Sequence, residues 1–261
     1  MSKSGGQPAY VLHQWDWSET SLILDLFTRE QGRVAVVAKG AKRPYSQLRA
    51  VLLPFQRVQV LLGRPKADEA SDILTLRSAE YAGTPGSSAA LPPAQLFSGF
   101  YLNELLMKLL PRQDAHARLF DAYADTLQAL RQASDEAPLR AFELLLLRET
   151  GVLPELDRMT MTQQALQPNL AYALRAEAGL VPAGNADGGL HAATCQALQM
   201  ALDADDMSTL RQACGLQLQA LRLQLRGLLH YHLGSSQLRS RAAMLEVRRL
   251  LDAPTSLHGS R

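Results

Sequence analysis

Arg33-Val34-Ala35-Val36-Val37-Ala38, bounded by Glu30-Gln31-Gly32 on one side and Lys39-Gly40 on the other, decides how the first third of this chain folds. A short run rich in β-branched residues between two turn signals is a strand. Four neighbours repeat the pattern: Ala9-Tyr10-Val11-Leu12, Ser21 to Phe27, Gln56 to Leu62, and Ile73-Leu74-Thr75-Leu76. Gly63-Arg64-Pro65 and the Gly83 to Gly86 stretch supply further breaks. Five short strands with no helical period before Ala50 suit a small closed barrel better than a sandwich. Leu48 to Leu53 fits either helix or strand, and Pro54 requires any strand there to begin after it.

Beyond Pro93 the period changes to that of a helix. Leu96, Phe100, Leu102, Leu105, Leu106, Leu109 and Leu110 share a face and stop at Pro111. Leu119 to Leu130 and Pro138 to Leu147 predict two more helices, the second ended by Gly151 and Pro154. Residues 157–190 lose the pattern and collect Pro168, Gly179, Pro182, Gly184, Gly188 and Gly189, an irregular insertion with some β character. Ala192 to Leu202, an unbroken Ser208 to Leu233, and Arg241 to Leu251 complete the helical set. The expected fold is α+β: a β-barrel domain over residues 1–82, an α-helical domain over 83–252 and a frayed tail over 253–261.

The 261 residues are 47% apolar and 20% charged, ordinary for a globular protein. No apolar run is long enough to span a bilayer, and Met1 to Gln7 lacks the apolar core of a signal peptide. Two cysteines, Cys195 and Cys214, make neither a disulfide framework nor a four-thiolate zinc site, which points to a reducing compartment.

The net charge of +2 conceals an uneven distribution. Residues 31–67 hold eight cations (Arg33, Lys39, Lys42, Arg43, Arg49, Arg57, Arg64 and Lys66) and no acid. Residues 207–251 hold seven arginines against Glu246 alone. Cations that displace counterions, with an aromatic ring to stack a base, are what a nonspecific single-strand binder needs. Gly40-Ala41-Lys42-Arg43-Pro44-Tyr45-Ser46 combines both, with Tyr45 as the stacker and Phe55 better read as core. On a continuous helix from Leu210, Arg211, Arg222 and Arg226 line one edge of the apolar stripe. They either track phosphates or snorkel from the core edge. Arg140, on the lip of an apolar helix, suits the carboxylate of an acidic-hydrophobic peptide tail. The plainer alternative is an intramolecular pair with Glu136 one turn before it.

Enzymatic signatures are poor. Gly40-Ala41-Lys42 lacks the spacing of a phosphate loop, and neither a dinucleotide fingerprint nor a nucleophile elbow occurs. His191 and Cys195, spaced one helical turn apart, are two ligands and not a metal site. His230 and His232 point to different helix faces. Asp16, Glu19 and Asp25 near Ser18 read as turn and strand-end solvation.

Taken in order, the motifs form a group. Ala9-Tyr10-Val11-Leu12-His13, Trp17-Ser18-Glu19-Thr20-Ser21, Gly32-Arg33-Val34 and Val37-Ala38-Lys39-Gly40-Ala41 resemble the N-terminus of the RecO recombination-mediator family. Leu76 to Glu80, Tyr101-Leu102-Asn103-Glu104-Leu105-Leu106, Arg140-Ala141-Phe142-Glu143, Leu233-Gly234 and Leu238 to Arg241 continue the likeness. The resemblance implies an OB-fold barrel joined to a helical domain, and a non-enzymatic DNA-repair role in the cytoplasm, at the nucleoid, with no cofactor and no membrane. It implies binding of single- and double-stranded DNA and annealing of complementary strands. It also implies action with RecR to load the RecA recombinase onto strands coated by single-stranded-DNA-binding protein. The helical domain would hold that protein's acidic C-terminal tail through Arg140, with Leu144 lining the pocket and the insertion closing its other side. The eight cations of residues 31–67 and Tyr45 become the DNA contacts, with Arg239 and Arg241 an auxiliary basic site. Many relatives carry a four-cysteine zinc site after the Leu-x-Asp motif. Here Leu156-Asp157-Arg158 runs into Met159-Thr160-Met161-Thr162, so the insertion is expected to be zinc-free and held by packing alone. The rival reading is a protein-interaction adaptor that captures acidic tails with little DNA binding of its own.

Overall fold

The computed structural model describes residues 6–63, 73–83, 90–132, 136–184, 188–234 and 238–252. Five strands come first: β1 (Gln7–Asp16), β2 (Leu22–Thr28), β3 (Gly32–Ala38), β4 (Arg57–Gly63) and β5 (Leu74–Tyr81). They close into a barrel in the order β1-β2-β3-β5-β4, with β4 returning to β1 and with β3 and β5 parallel. This is the five-stranded arrangement of an OB-like barrel. A one-turn helix, α1 (Leu48–Val51), resolves the ambiguous stretch before Pro54.

Side-chain alternation divides β1 between two cores. Ala9 and Val11 point into the barrel with Leu24, Leu26, Val34, Val36, Val58 and Val60. Tyr10 and Leu12 point outward with Phe27 and join the core of the helical part. A strand buried on both faces reads as a continuous apolar run, as Ala9 to Leu12 does. A register shift between Val11 and His13 then turns the strand toward solvent.

The helical part is built from α2 (Leu96–Leu109), α3 (Ala117–Gln132), α4 (Ala137–Glu149), α5 (Ala192–Asp203), α6 (Met207–Leu216), α7 (Leu218–Leu233) and α8 (Arg239–Asp252). Helix α4 is the centre: every residue from Ala137 to Leu147 is buried, the charged Arg140 and Glu143 included. Tyr10 packs on Phe120 and Tyr123 at ring distances of 5.3 and 4.9 Å. Asn103 of α2 donates to the Leu12 carbonyl at 2.9 Å and accepts from the Tyr123 hydroxyl at 2.6 Å, so the seam's polar atoms are paired.

Two expectations about this region change. Residues 208–233 form two helices, because Gln217 leaves the helical region (φ −141°, ψ 55°). Its side-chain oxygen accepts from the His191 backbone N–H at 2.6 Å instead. His191 is accordingly an extended residue at the N-terminus of α5, off the helix that carries Cys195. The insertion is a three-stranded sheet in the order β7-β6-β8, made of β6 (Ala171–Arg175), β7 (Gly179–Pro182) and β8 (Leu190–His191). Packing of Tyr172, Leu174, Leu180 and Leu190 into the helical core holds it, but not alone. Thr160, just after Leu156-Asp157-Arg158, accepts from the Leu180 N–H at 2.8 Å through its hydroxyl oxygen. Gln224 of α7 accepts from the Leu174 N–H at 2.9 Å.

Candidate functional site

Two surfaces gather the residues that the sequence singles out. The first is the loop after β3. Its base is fixed by Lys42, whose N–H donates to the Thr20 carbonyl at 3.0 Å. The Lys42 ammonium donates to the Ser18 carbonyl and pairs with Asp16, each at 3.1 Å. The loop is thereby locked onto the β1–β2 turn, and Lys42 is occupied by that lock. Lys39, Arg43 and Arg49 stay exposed, and Tyr45 projects with 98% of its surface free. Phe55 is buried against Phe100, with ring centroids 5.1 Å apart. Arg64 and Lys66 lie outside the described residues.

Arg33 is a correction. Its guanidinium lies against Asp25 at 3.3 Å and donates to the Leu110 carbonyl at 2.8 Å and to the Met107 carbonyl. It bolts the barrel to the C-terminal end of α2, where carbonyls point outward and a cation is favoured, and only 13% of its side chain remains exposed. Asp25, 1% exposed, also lies 3.6 Å from Arg112. Burial raises its carboxyl pKa, and the two arginines offset only part of that rise. Arg57 is exposed but sits at the same seam, over the Phe120 ring at 5.9 Å.

The second surface is a pocket of about 310 Å³ between α2, α4, α7 and α8. Phe97, Leu139, Leu229, Leu238, Met244 and Leu245 give it apolar walls. Arg140, Arg222, Arg226 and Arg241 bring four guanidinium groups to it. Arg140 pairs with Glu143 at 2.7 Å, one turn after it, and not with Glu136. Glu136 pairs with Arg222 at 3.0 Å. The fully buried Glu143 also accepts from the Tyr101 hydroxyl at 2.6 Å. Burial raises the Glu143 carboxyl, and Arg140 together with the Tyr101 hydrogen bond opposes that rise. Burial, with the neighbouring Arg226 and Arg241 adding to it, holds the His230 imidazole below its usual pKa.

Leu144 is a second correction: it is fully buried in the core and does not line the pocket. Helix α8, and not the insertion, forms the remaining wall. The break at Gln217 also splits the expected arginine edge. Arg222 and Arg226 face this pocket, whereas Arg211 approaches the Asp125 carbonyl at 3.5 Å beside a different, polar groove. Arg239 is exposed at the start of α8, and Arg241 belongs to the pocket. Sequence reasoning missed the union of Arg140 with Arg226 and Arg241, because the latter two follow Arg140 by 86 and 101 positions in the sequence. Among the described residues, no three His, Cys, Asp or Glu side chains come together to hold a metal ion. Cys195 is buried, and burial pushes its thiol up to about 12. No helix among the described residues is long and apolar enough to cross a membrane.

The comparisons agree with this layout. The family model described as Recombination protein O N terminal matches residues 1–82, and Recombination protein O C terminal matches 93–242. The DNA repair protein RecO of Variovorax paradoxus is 48% identical over 257 residues, covering 94% of this chain and 96% of the relative. That of Polaromonas naphthalenivorans is 48% identical over 252 residues, covering 94% and 97%. A barrel that fits the first model, a helical part that fits the second and relatives aligned along nearly their whole length leave one assignment: the chain belongs to the RecO family of recombination and DNA-repair proteins.

Proposed function

We propose that the chain is a non-enzymatic mediator of recombinational DNA repair with two separate binding surfaces. The loop after β3 takes DNA phosphates on Lys39, Arg43 and Arg49, with Tyr45 stacking a base and Arg57 and Arg239 as outlying cations. Neutralising phosphates on two strands while their bases stay free to pair is sufficient for annealing and needs no nucleotide hydrolysis. The pocket between α2, α4, α7 and α8 takes the acidic C-terminal tail of single-stranded-DNA-binding protein. Through both, and together with RecR, the chain prepares coated strands for RecA. The observation that carries this reading is the pocket: Arg226 and Arg241, beside Arg140 and Arg222 already paired with Glu143 and Glu136, stand against apolar walls and match a peptide that ends in a free carboxylate and an apolar side chain.

The test uses an acidic-hydrophobic C-terminal peptide with a free carboxylate, and the same peptide amidated. Arg226 is the residue to replace. Removing Arg140 would strand the buried Glu143 carboxylate, at a cost of about 3–5 kcal/mol to the fold. Arg226→Ala is expected to weaken the free-acid peptide by at least about tenfold, equivalent to about 1.4 kcal/mol, typical of a charge-assisted bond. Its affinity for single-stranded DNA, falling steeply with salt, should be unchanged. Equal binding of both peptides, or an unaffected variant, overturns the tail assignment. Peptide binding with no DNA binding at low salt favours the adaptor reading instead.

A further inference from the structure

Both tryptophans of the chain lie within three residues of each other, on β1 and the turn that follows it, and neither is buried. Trp17 is 62% exposed on the β1–β2 turn and Trp15 is 39% exposed on β1. Trp15 pairs across the strands with Ile23, and Ile23 with Val37. Ile23 and Val37 are only half-buried, while their neighbours Leu24 and Val36 fill the barrel interior. Alternation therefore makes Trp15, Ile23 and Val37 an outward apolar row across three strands, and Lys39 continues that row past the end of β3. His13 stacks edge-on against Trp15 at 4.5 Å and steadies the ring. Trp17 stands on the turn that Lys42 ties to the Tyr45 loop through Ser18, Thr20 and Asp16.

We propose that Trp15 and Trp17, with Tyr45, form a stacking platform that selects unpaired bases over duplex DNA. The inference rests on the proposed DNA-binding function and specifies what its barrel surface reads. An indole ring exposed to water is at higher free energy than one stacked on a flat base, whose π-face every nucleotide offers. Charge around the rings is arranged by loop. The exposed cations Lys39, Arg43 and Arg49 belong to the Tyr45 loop and its continuation, and the carboxylates Asp16 and Glu19 to the Trp17 turn. Lys42 compensates Asp16, and Glu19 remains exposed. A single strand carries phosphates along one edge and bases along the other, so it can lay phosphates on the cationic loop and bases on the tryptophans. A duplex presents phosphates at both outer edges and meets Glu19.

Because the chain has no other tryptophan, its tryptophan emission, excited selectively over the seven tyrosines, reports on Trp15 and Trp17 alone. The experiment titrates the full chain at low salt with oligothymidine, an abasic strand of equal length, and duplex. Binding is followed by anisotropy of labelled DNA and contact by tryptophan emission. Oligothymidine should bind and quench; the abasic strand and duplex should bind without comparable quenching. Trp17→Ala should weaken oligothymidine about tenfold and leave duplex within about twofold, and Trp17→Phe should recover most of the loss. Oligothymidine that binds with unchanged emission overturns the platform and spares the DNA-binding reading. Quenching by duplex equal to that by oligothymidine overturns the selectivity. No DNA binding by any strand overturns both.

Discussion

Gly32 begins β3 at φ +65°, and a β-carbon added there would lie 1.6 Å from the Asp114 carbonyl oxygen. Both the backbone angle and the close approach require glycine. The contact matters because the same few residues join the two halves of the molecule: Gln113 donates to the Arg33 carbonyl at 2.8 Å, and Arg33 reaches the end of α2. Gly32→Ala should therefore cost about 3 kcal/mol or more, read as a lower urea midpoint at unchanged slope. A loss under about 0.5 kcal/mol would mean that the turn is not seated on the α2–α3 connection. At this scale the sequence is legible where a residue's surroundings are local. Tyr45 between Pro44 and Ser46 reads as an exposed ring, and Phe55 as core. Arg33 does not, because its partners Met107 and Leu110 are more than seventy positions away. Leu144 fails for the opposite reason: a helix apolar on every side offers no periodicity to tell pocket from core.

Helix α8 is held at its start by a residue from another helix. Glu104 of α2 accepts from the Arg239 and Ser240 backbone N–H groups, each at 2.9 Å, and from the Ser240 hydroxyl at 2.7 Å. It acts as an N-terminal cap in trans, satisfying orphan donors where a helix favours negative charge. Gly234, at φ +62°, ends α7 in the left-handed region. Partial burial pushes the Glu104 carboxyl up, but the bonds from Ser240 and Arg239, with Lys108 nearby, outweigh it and hold it below the usual range. A depressed folded-state pKa means that the stabilisation is complete above the unfolded pKa, about 4.3, and is lost as pH falls through the folded value. Glu104→Gln should cost about 1 kcal/mol of local stability. The checks are faster amide exchange in α8 and a weaker grip on the acidic peptide proposed for the pocket that α8 walls. The acid-induced loosening of α8 expected in the parent should be absent from the variant. Unchanged exchange in α8 would show that the cap is decorative. The elements themselves are mostly readable from period and turn chemistry. The single break at Gln217 is not, because it is specified by a hydrogen bond to His191 on a strand of the insertion.

The barrel and the helices do not meet as independent domains. Tyr10, Leu12, Phe27 and Phe55 leave the barrel to enter the helical core, where Phe120 stacks on both Tyr10 and Phe27. At about 1.5–3 kcal/mol for each buried side chain, the four supply about 6–12 kcal/mol, comparable to the whole stability of an ordinary domain. A barrel that opened alone would forfeit that amount and uncover Asp25 and Arg33 as well, so partial opening is no easier than global unfolding. Peptides from β1 and from α3 and α4 should accordingly show the same opening free energy in native-state hydrogen exchange. Phe120→Ala, which leaves a cavity at the seam, should lower both together by about 3–5 kcal/mol. Separate opening free energies for β1 and α4 would refute the shared core. If they coincide, the orientation of the proposed DNA surface relative to the peptide pocket is fixed by the fold. The proposed tail site at α4 and the proposed strand site on the β3 loop would then be held at one set geometry, with no hinge between them.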